Sequence, residues 1–267
     1  TKEVIGIATE GLLRGTTNAV LYWLFLLGAS IGKSKTSYGA YRMFQEAEEQ
    51  LREVNYDTFK QALTQLRKKR FISQKRKRTT VYIAETAAGR KRLDELLPTY
   101  QTDRPWDGLL YLVSYDVAEI HHRQRDLLRE YLRRIGCGFL QESLWLTPYN
   151  PRDLVDDFID EYHIRGTLLV SRLGHDGAIG DEDIQSLVEH VYRLSDVNER
   201  YGKFLKETKQ GRKTMFQLAV MYLSILVDDP QLPFRLLPKD WQGDRAYQVF
   251  QSIVSKTTHG RMHNYTR

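Results

Sequence analysis

Apolar positions near the middle of the N-terminal third follow a helical period. Phe59, Ala62, Leu63 and Leu66 recur at the i, i+3, i+4, i+7 spacing of one face, while Gln61, Thr64 and Lys68 fall on the opposite side. The pattern predicts a helix over 56–69 with a buried back and a polar front, opened by Asn55 as N-cap. Upstream, Val20, Leu21, Leu24 and Leu27 predict a helix starting at Thr16 or Thr17. Tyr41, Phe44, Ala47 and Leu51 predict another over 38–51, with Glu46, Glu48 and Glu49 in water. Downstream, two alternating runs between Phe71 and Ala84 have the length and β-branched content of a hairpin, and its tip at Lys75 to Arg78 is too charged to bury. Thr86 is placed to cap a further helix. Helices followed by a polar-fronted helix, a basic hairpin and a last helix predict a winged helix-turn-helix over 1–97.

Residues 98–105, bounded by Pro98 and Pro105, break the periodicity and are expected to be a linker. The pattern then changes. Leu109 to Asp116 is a nearly continuous apolar run, as a central buried strand requires. After it the sequence predicts a helix over 121–135 stopped by Gly136, a strand over 139–147, and a helix over 151–162 with Pro151 in its first turn. A strand over 167–173 and a helix over 181–192 complete the series. This order fits a ferredoxin-like sandwich over 106–193, although the pattern does not locate a fourth strand. Residues 194–267 read as helical, with Val197, Tyr201, Phe204 and Leu205 on one helix and Phe216, Ala219, Tyr222, Leu223 and Leu226 on the next. Ala246, Val249, Phe250 and Ile253 lie on the last, and Pro230, Pro233 and Pro238 forbid a continuous helix between the last two. The fold class expected for the whole is α+β.

Charge sharpens the picture. The 267 residues carry a net charge of only +6, but residues 1–104 contain 19 basic and 11 acidic side chains, and the rest contain 21 and 23. The excess is therefore N-terminal. Eight cations and no acid lie between Arg67 and Arg78, a density that repels itself unless water or phosphates screen it. A helix offering short polar side chains beside a cationic hairpin suits double-stranded DNA, because amides and hydroxyls match base edges and cations match phosphates. Lys60, Gln61 and Thr64 are the candidates for base edges or adjacent phosphates. Lys68, Lys75, Arg76, Lys77 and Arg78 are the candidates for the backbone. One such module covers too little DNA for genomic specificity, so a homodimer on an inverted repeat is expected.

Other chemistry is thinly represented. Cys137 is the single cysteine, which excludes an intramolecular disulfide framework and any Cys-based zinc site and points to a reducing, cytoplasmic setting. The apolar run from Ala19 to Ile31 falls short of the roughly 20 residues of a membrane span, so no membrane partner is expected. No glycine loop for phosphates, no Ser/His/Asp arrangement and no cofactor motif stands out. His121 and His122 are adjacent and do not converge on a metal. Asp156, Asp157, Asp160 and Glu161, with Arg165 nearby, read as a wet helix face. Trp145, Tyr222 and Trp241 fit either a core or the lining of an effector pocket.

The proline segment carries a resemblance. Asp229-Pro230, Leu232-Pro233, Leu236-Leu237-Pro238 and Asp240-Trp241, with Gly243 and Ala246, are similar to the C-terminal signature of the PaaX family, bacterial transcriptional repressors of the phenylacetic-acid-catabolism type. The domain order agrees with that family's winged helix, ferredoxin-like middle and helical end. Departures are Gln242, where the family often has proline, and an unusually basic hairpin tip. The resemblance implies a repressor released by a small effector, an acyl coenzyme A thioester in the best-known members, without identifying compound or pocket.

The middle domain also resembles the small ferredoxin-like endonucleases of CRISPR adaptation. Tyr115-Asp116, Arg123, Arg125 and Gln141 to Trp145 carry the likeness. In that group the strand-end aspartate is the proposed metal ligand, paired across a dimer axis, which makes Asp116 the candidate for a metal-dependent nuclease. A single carboxylate per chain is a poor magnesium site. The competing expectation for Asp116 is structural, as the cap of the helix beginning near His121 or as an acceptor that fixes a loop. The chain is accordingly expected to be a regulator and not an enzyme.

Overall fold

A computed structural model describes residues 16–27, 56–77, 80–173 and 183–259. The expected helix over 38–51, the expected N-cap Asn55 of the helix over 56–69, the hairpin-tip residue Arg78 and the helix start at Asp181 lie outside the described residues. The chain divides into two compact units that cut across sequence order. One contains residues 1–100, 199–228 and 242–267, and the other residues 101–198 and 229–241.

In the first unit, α1 (Thr16–Leu27) is followed by α2 (Tyr56–Lys68), the hairpin of β1 (Ile72–Lys77) and β2 (Thr80–Glu85), and α3 (Ala87–Leu96). The α1 pattern suggested one apolar face; the structure buries it all round, with Ala19 through Leu24 buried, Tyr22 and Trp23 included. The reason is cover from two directions. Trp23 meets Phe59 of α2 edge-on with ring centroids 5.7 Å apart, and Tyr22 lies 5.9 Å from Phe216 of α8 (Met215–Asp228). Tyr222 of α8 is fully buried between Phe204 of α7 (Leu194–Gln210) and Phe250 of α9 (Gly243–His259), on which it stacks at 4.2 Å. Tyr100 stacks on Tyr247 and donates a hydrogen bond to Asp244, tying the end of the N-terminal segment to α9.

The second unit holds β3 (Leu110–Asp116), a 3-10 turn (Glu119–His121), α4 (His122–Arg134), β4 (Gly138–Gln141) and β5 (Leu144–Thr147). It continues with α5 (Arg152–Tyr162), β6 (Thr167–Leu173) and α6 (Ile184–Tyr192). The four strands form one antiparallel sheet in the order β4-β5-β3-β6. The missing fourth strand comes from the stretch 139–147, which is a tight hairpin and not one strand. Glu142 takes a left-handed φ of +39° and reverses the chain so that Phe139 pairs with Trp145. No Gly, Asn or Asp marks that turn, which is why the pattern did not show it.

Alternate residues of β3 serve opposite faces of the sheet. Val113 and Tyr115 join Leu128 and Leu132 of α4, Trp145, and Val155 and Phe158 of α5 in one core. Leu110 and Leu146 join Val188 of α6 and Leu232, Leu236 and Leu237 of the proline segment in another. The stretch 98–105 has no regular secondary structure but is firmly held where it enters this unit. Arg104 is buried, donating from Nη1 to the Leu232 carbonyl (2.9 Å) and from Nε to the Gln101 carbonyl (3.0 Å), with its guanidinium 4.7 Å above the Phe234 ring. The Gln101 amide donates to Gln231 Oε1 at 2.6 Å. Backbone crowding also fixes the α5-to-β6 corner: Gly166 has a φ of +137°, and a Cβ there would stand 2.2 Å from the Asp116 carbonyl oxygen. Cys137 is buried, and burial pushes its thiol up to about 12, so it is inert as a nucleophile near neutral pH.

Candidate nucleic-acid interface

Helix α2 has the two-sided character its sequence predicts. Phe59, Ala62 and Leu66 are buried against the core, and Lys60, Gln61, Thr64, Gln65 and Lys68 are exposed together on the other side. Asp57 in the first turn and Arg67 and Lys68 in the last match the helix dipole at both ends. The Thr64 hydroxyl donates to the Lys60 carbonyl at 2.9 Å, so what it offers outward is acceptor capacity. A surface groove of about 680 Å³ runs along this side, and Thr17, Asp57, Thr58 and Gln65 line it beside Lys60, Gln61 and Thr64. These added residues carry no sequence signal of their own. Only the approach of α1 brings Thr17 to α2.

The end of α2 is set by backbone geometry. Arg70 adopts a left-handed φ of +58°, the Arg70 N–H donates to the Arg67 carbonyl at 3.0 Å, and the Phe71 N–H to the Leu66 carbonyl at 2.9 Å. This is the Schellman pattern that closes a helix and redirects the chain. The chain passes straight into β1, where Lys75, Arg76 and Lys77 pair in register with Tyr82, Val81 and Thr80.

A compact joint locks this corner to α3. Thr86 caps α3, its hydroxyl accepting from the Gly89 N–H at 3.0 Å and donating to the Arg70 carbonyl at 2.6 Å, while its own N–H donates to the Phe71 carbonyl at 3.1 Å. Gly89 is buried so closely that a Cβ would stand 2.1 Å from the Phe71 carbonyl oxygen. The next residue, Arg90, lies 5.0 Å above the Phe25 ring of α1.

Asp116 belongs to the other unit. It is the last residue of β3, exposed, and paired with Thr167 of β6. The expected capping role is not what the structure gives. Ala118 and His121 occupy the N-cap positions of the 3-10 turn and α4, and neither start has a side-chain cap, because Asp116 is still extended in the sheet. Arg125 is engaged in a two-pronged pair with Glu119 (2.7 and 3.0 Å), and the hydrogen bonds from Arg125 hold the Glu119 carboxyl below its ordinary range. Arg129, which the sequence did not single out, donates from Nε to the Tyr115 hydroxyl at 2.9 Å. Arg123 is exposed. Among the described residues no group of three or more His, Cys, Asp or Glu side chains is placed to hold a metal ion. Asp156, Asp157, Asp160 and Glu161 are exposed on α5, as expected of a wet face, and Trp145 and Tyr222 are fully buried.

Comparison with known proteins decides the lineage. Residues 103–184 match the family model described as the PaaX protein central Cas2-like domain, and residues 192–265 match that of the PaaX-like protein C-terminal domain. The chain belongs to the PaaX family. Among its PaaX relatives is the transcriptional repressor PaaX of Escherichia coli (strain K12), 23% identical over 177 residues, which are 59% of this chain and 54% of that protein. The chain thus aligns with about half the length of this curated relative. A solved structure with a similar fold is that of the uncharacterized protein Rv0674 from Mycobacterium tuberculosis, with a TM-score of 0.51 and 20% identity over 79% of this chain and 85% of that one. The two PaaX models cover the sheet unit and the C-terminal helices, and neither reaches α2 or the basic hairpin.

The Thr86–Gly89 joint yields a direct test. Gly89→Ala forces α3 away from the Phe71 carbonyl, and overpacking of this kind costs about 1–3 kcal/mol even though alanine is the better helix former. The urea midpoint of unfolding should fall. A midpoint equal to or above that of the parent protein would show that the joint is slack.

Proposed function

We propose that this PaaX-family chain is a sequence-specific DNA-binding transcriptional regulator, a cytoplasmic repressor that acts as a homodimer and is released by a small effector. In this reading residues 1–97 are a winged helix-turn-helix, 98–105 a linker, 106–193 a ferredoxin-like domain and 194–267 a helical C-terminal domain. The observation that carries it is the two-sided α2, with Lys60, Gln61, Thr64 and Lys68 exposed on a helix whose back is buried at Phe59, Ala62 and Leu66, running through a fixed turn into a cationic hairpin. A helix held by its apolar back can lie in a major groove with its polar front toward base edges, while cations on the following hairpin reach the phosphates. The repressor relative supports the regulatory role, and the β-α-β-β-α-β order with its strand arrangement supports the ferredoxin-like assignment. Among the described residues no helix is long and apolar enough to cross a membrane.

Changing Lys75, Arg76, Lys77 and Arg78 together to Ala should weaken binding to every duplex and flatten the salt dependence by roughly 0.9 in slope for each phosphate no longer neutralised. Fluorescence anisotropy across a salt series measures this, and an unchanged slope removes the hairpin from the interface. An effector that releases the protein must prefer the DNA-free state, so operator must lower effector affinity by the same factor as effector lowers operator affinity. Calorimetry of acyl thioesters and free acids with and without operator tests each compound, and equal affinity in both states eliminates that compound as the switch. Finally, Asp116→Asn should leave operator binding intact, and the purified protein should not cleave nucleic acid. Metal-dependent cleavage of DNA or RNA that this substitution abolishes would establish a nuclease instead.

A further inference from the structure

The exposed cations of the first unit extend past α2. A second groove, of about 620 Å³, adjoins the one along α2, and Thr17 lines both. Its walls are Thr17 and Asn18 at the start of α1, Lys69 in the turn that ends α2, and Lys91 and Arg92 of α3, with Glu95 as the carboxylate on its rim. Lys69 and Lys91 are exposed. Arg92 lies 3.7 Å from Glu95 with both side chains substantially solvated, a separation at which a surface ion pair is weak. Positive charge therefore predominates along a concave surface, the arrangement that concentrates anions.

The spacing of these cations is a property of the fold and not of a flexible loop. Lys69 belongs to the turn closed by Arg70 and Phe71, and the Thr86 and Gly89 contacts pin the first turn of α3 to those same two residues. Arg90 is drawn off over Phe25, while Lys91 and Arg92 line the groove. A polyanion following the front of α2 past Thr17 meets Lys69, Lys91 and Arg92 next. The hydroxyl and amide of Thr17 and Asn18 are side chains of the kind that hydrogen-bond phosphate oxygens.

We propose that Lys69, Lys91 and Arg92 form a second phosphate track that grips the DNA backbone flanking the site read by α2. The proposal rests on the DNA-binding reading above and adds a second binding surface to it. Phosphate contacts position a protein without reading sequence, so the track contributes equally on every duplex.

The test uses the full chain, a random-sequence duplex and fluorescence anisotropy over about 50 to 200 mM salt. Lys69→Ala/Lys91→Ala should make the slope of log affinity against log salt shallower by roughly 1.8, because two phosphates at about 0.9 each are no longer neutralised. Lys203→Ala/Lys206→Ala removes the same charge from exposed positions on α7 and should keep the parent slope. Lys91→Gln alone, a milder change, should give about half the effect of the first pair. A parent-like slope for both groove variants, or an equal change in the α7 variant, overturns the track while leaving DNA binding in place. Failure of the parent protein to bind any duplex at the lowest salt removes the DNA-binding reading and the track together.

Discussion

From Ala19 to Leu24 helix α1 is apolar all round, and that constraint organises the first unit. A helix apolar all round must be covered all round. Trp23 is covered by Phe59 from the back of α2, and Tyr22 by Phe216 of α8. Truncating a fully buried ring of this size costs about 3–5 kcal/mol, comparable with the entire net stability of many domains. The helix proposed to face DNA and the C-terminal helices thus share one core, although more than a hundred residues of sequence separate them. Burial also pushes the Tyr22 phenol well above its ordinary value, so it stays neutral at any physiological pH and adds no charge to that core.

The second constraint acts on backbone atoms. The Schellman turn at Arg70 satisfies the last carbonyls of α2, and Thr86 then uses its hydroxyl and its amide to hold Arg70 and Phe71 from the other side. Gly89 completes the joint because no side chain fits between α3 and the Phe71 carbonyl. Three elements that meet through short hydrogen bonds and a missing Cβ keep a defined mutual angle. Residues carried by α2 and α3 therefore stand at fixed spacings, as the proposed DNA contact requires.

The second unit is built on different physics. Both faces of its sheet are covered, one by α4 and α5 and the other by α6 and the proline segment. The prolines keep that segment out of a continuous helix, with only a 3-10 turn at Phe234–Leu236, and Arg104 donates to its Leu232 carbonyl while lying over Phe234. A buried guanidinium is tolerable here because backbone oxygens and an aromatic face replace its water. The strand-end Asp116 has no comparable framework. Its neighbour in sequence Tyr115 is held by Arg129, and Arg125 is paired with Glu119, while Asp116 itself and Arg123 are exposed.

Short-range pattern and capping chemistry were legible in the sequence. The buried back and polar front of α2, the Thr86 cap, the Gly136 stop and the strand over 167–173 all follow from periodicity or from the chemistry of one turn. The hairpin at Glu142 escaped because its turn uses a residue that gives no warning of a left-handed backbone. The all-round burial of α1, the anchoring of residues 101–104 on the proline segment, and the gathering of Thr17, Lys69 and Lys91 around one groove escaped for another reason. Periodicity tells which side of an element is buried but not what covers it. Contacts between residues distant along the chain are decided only when the cores pack, and there the shape and volume of every neighbour settle the outcome together.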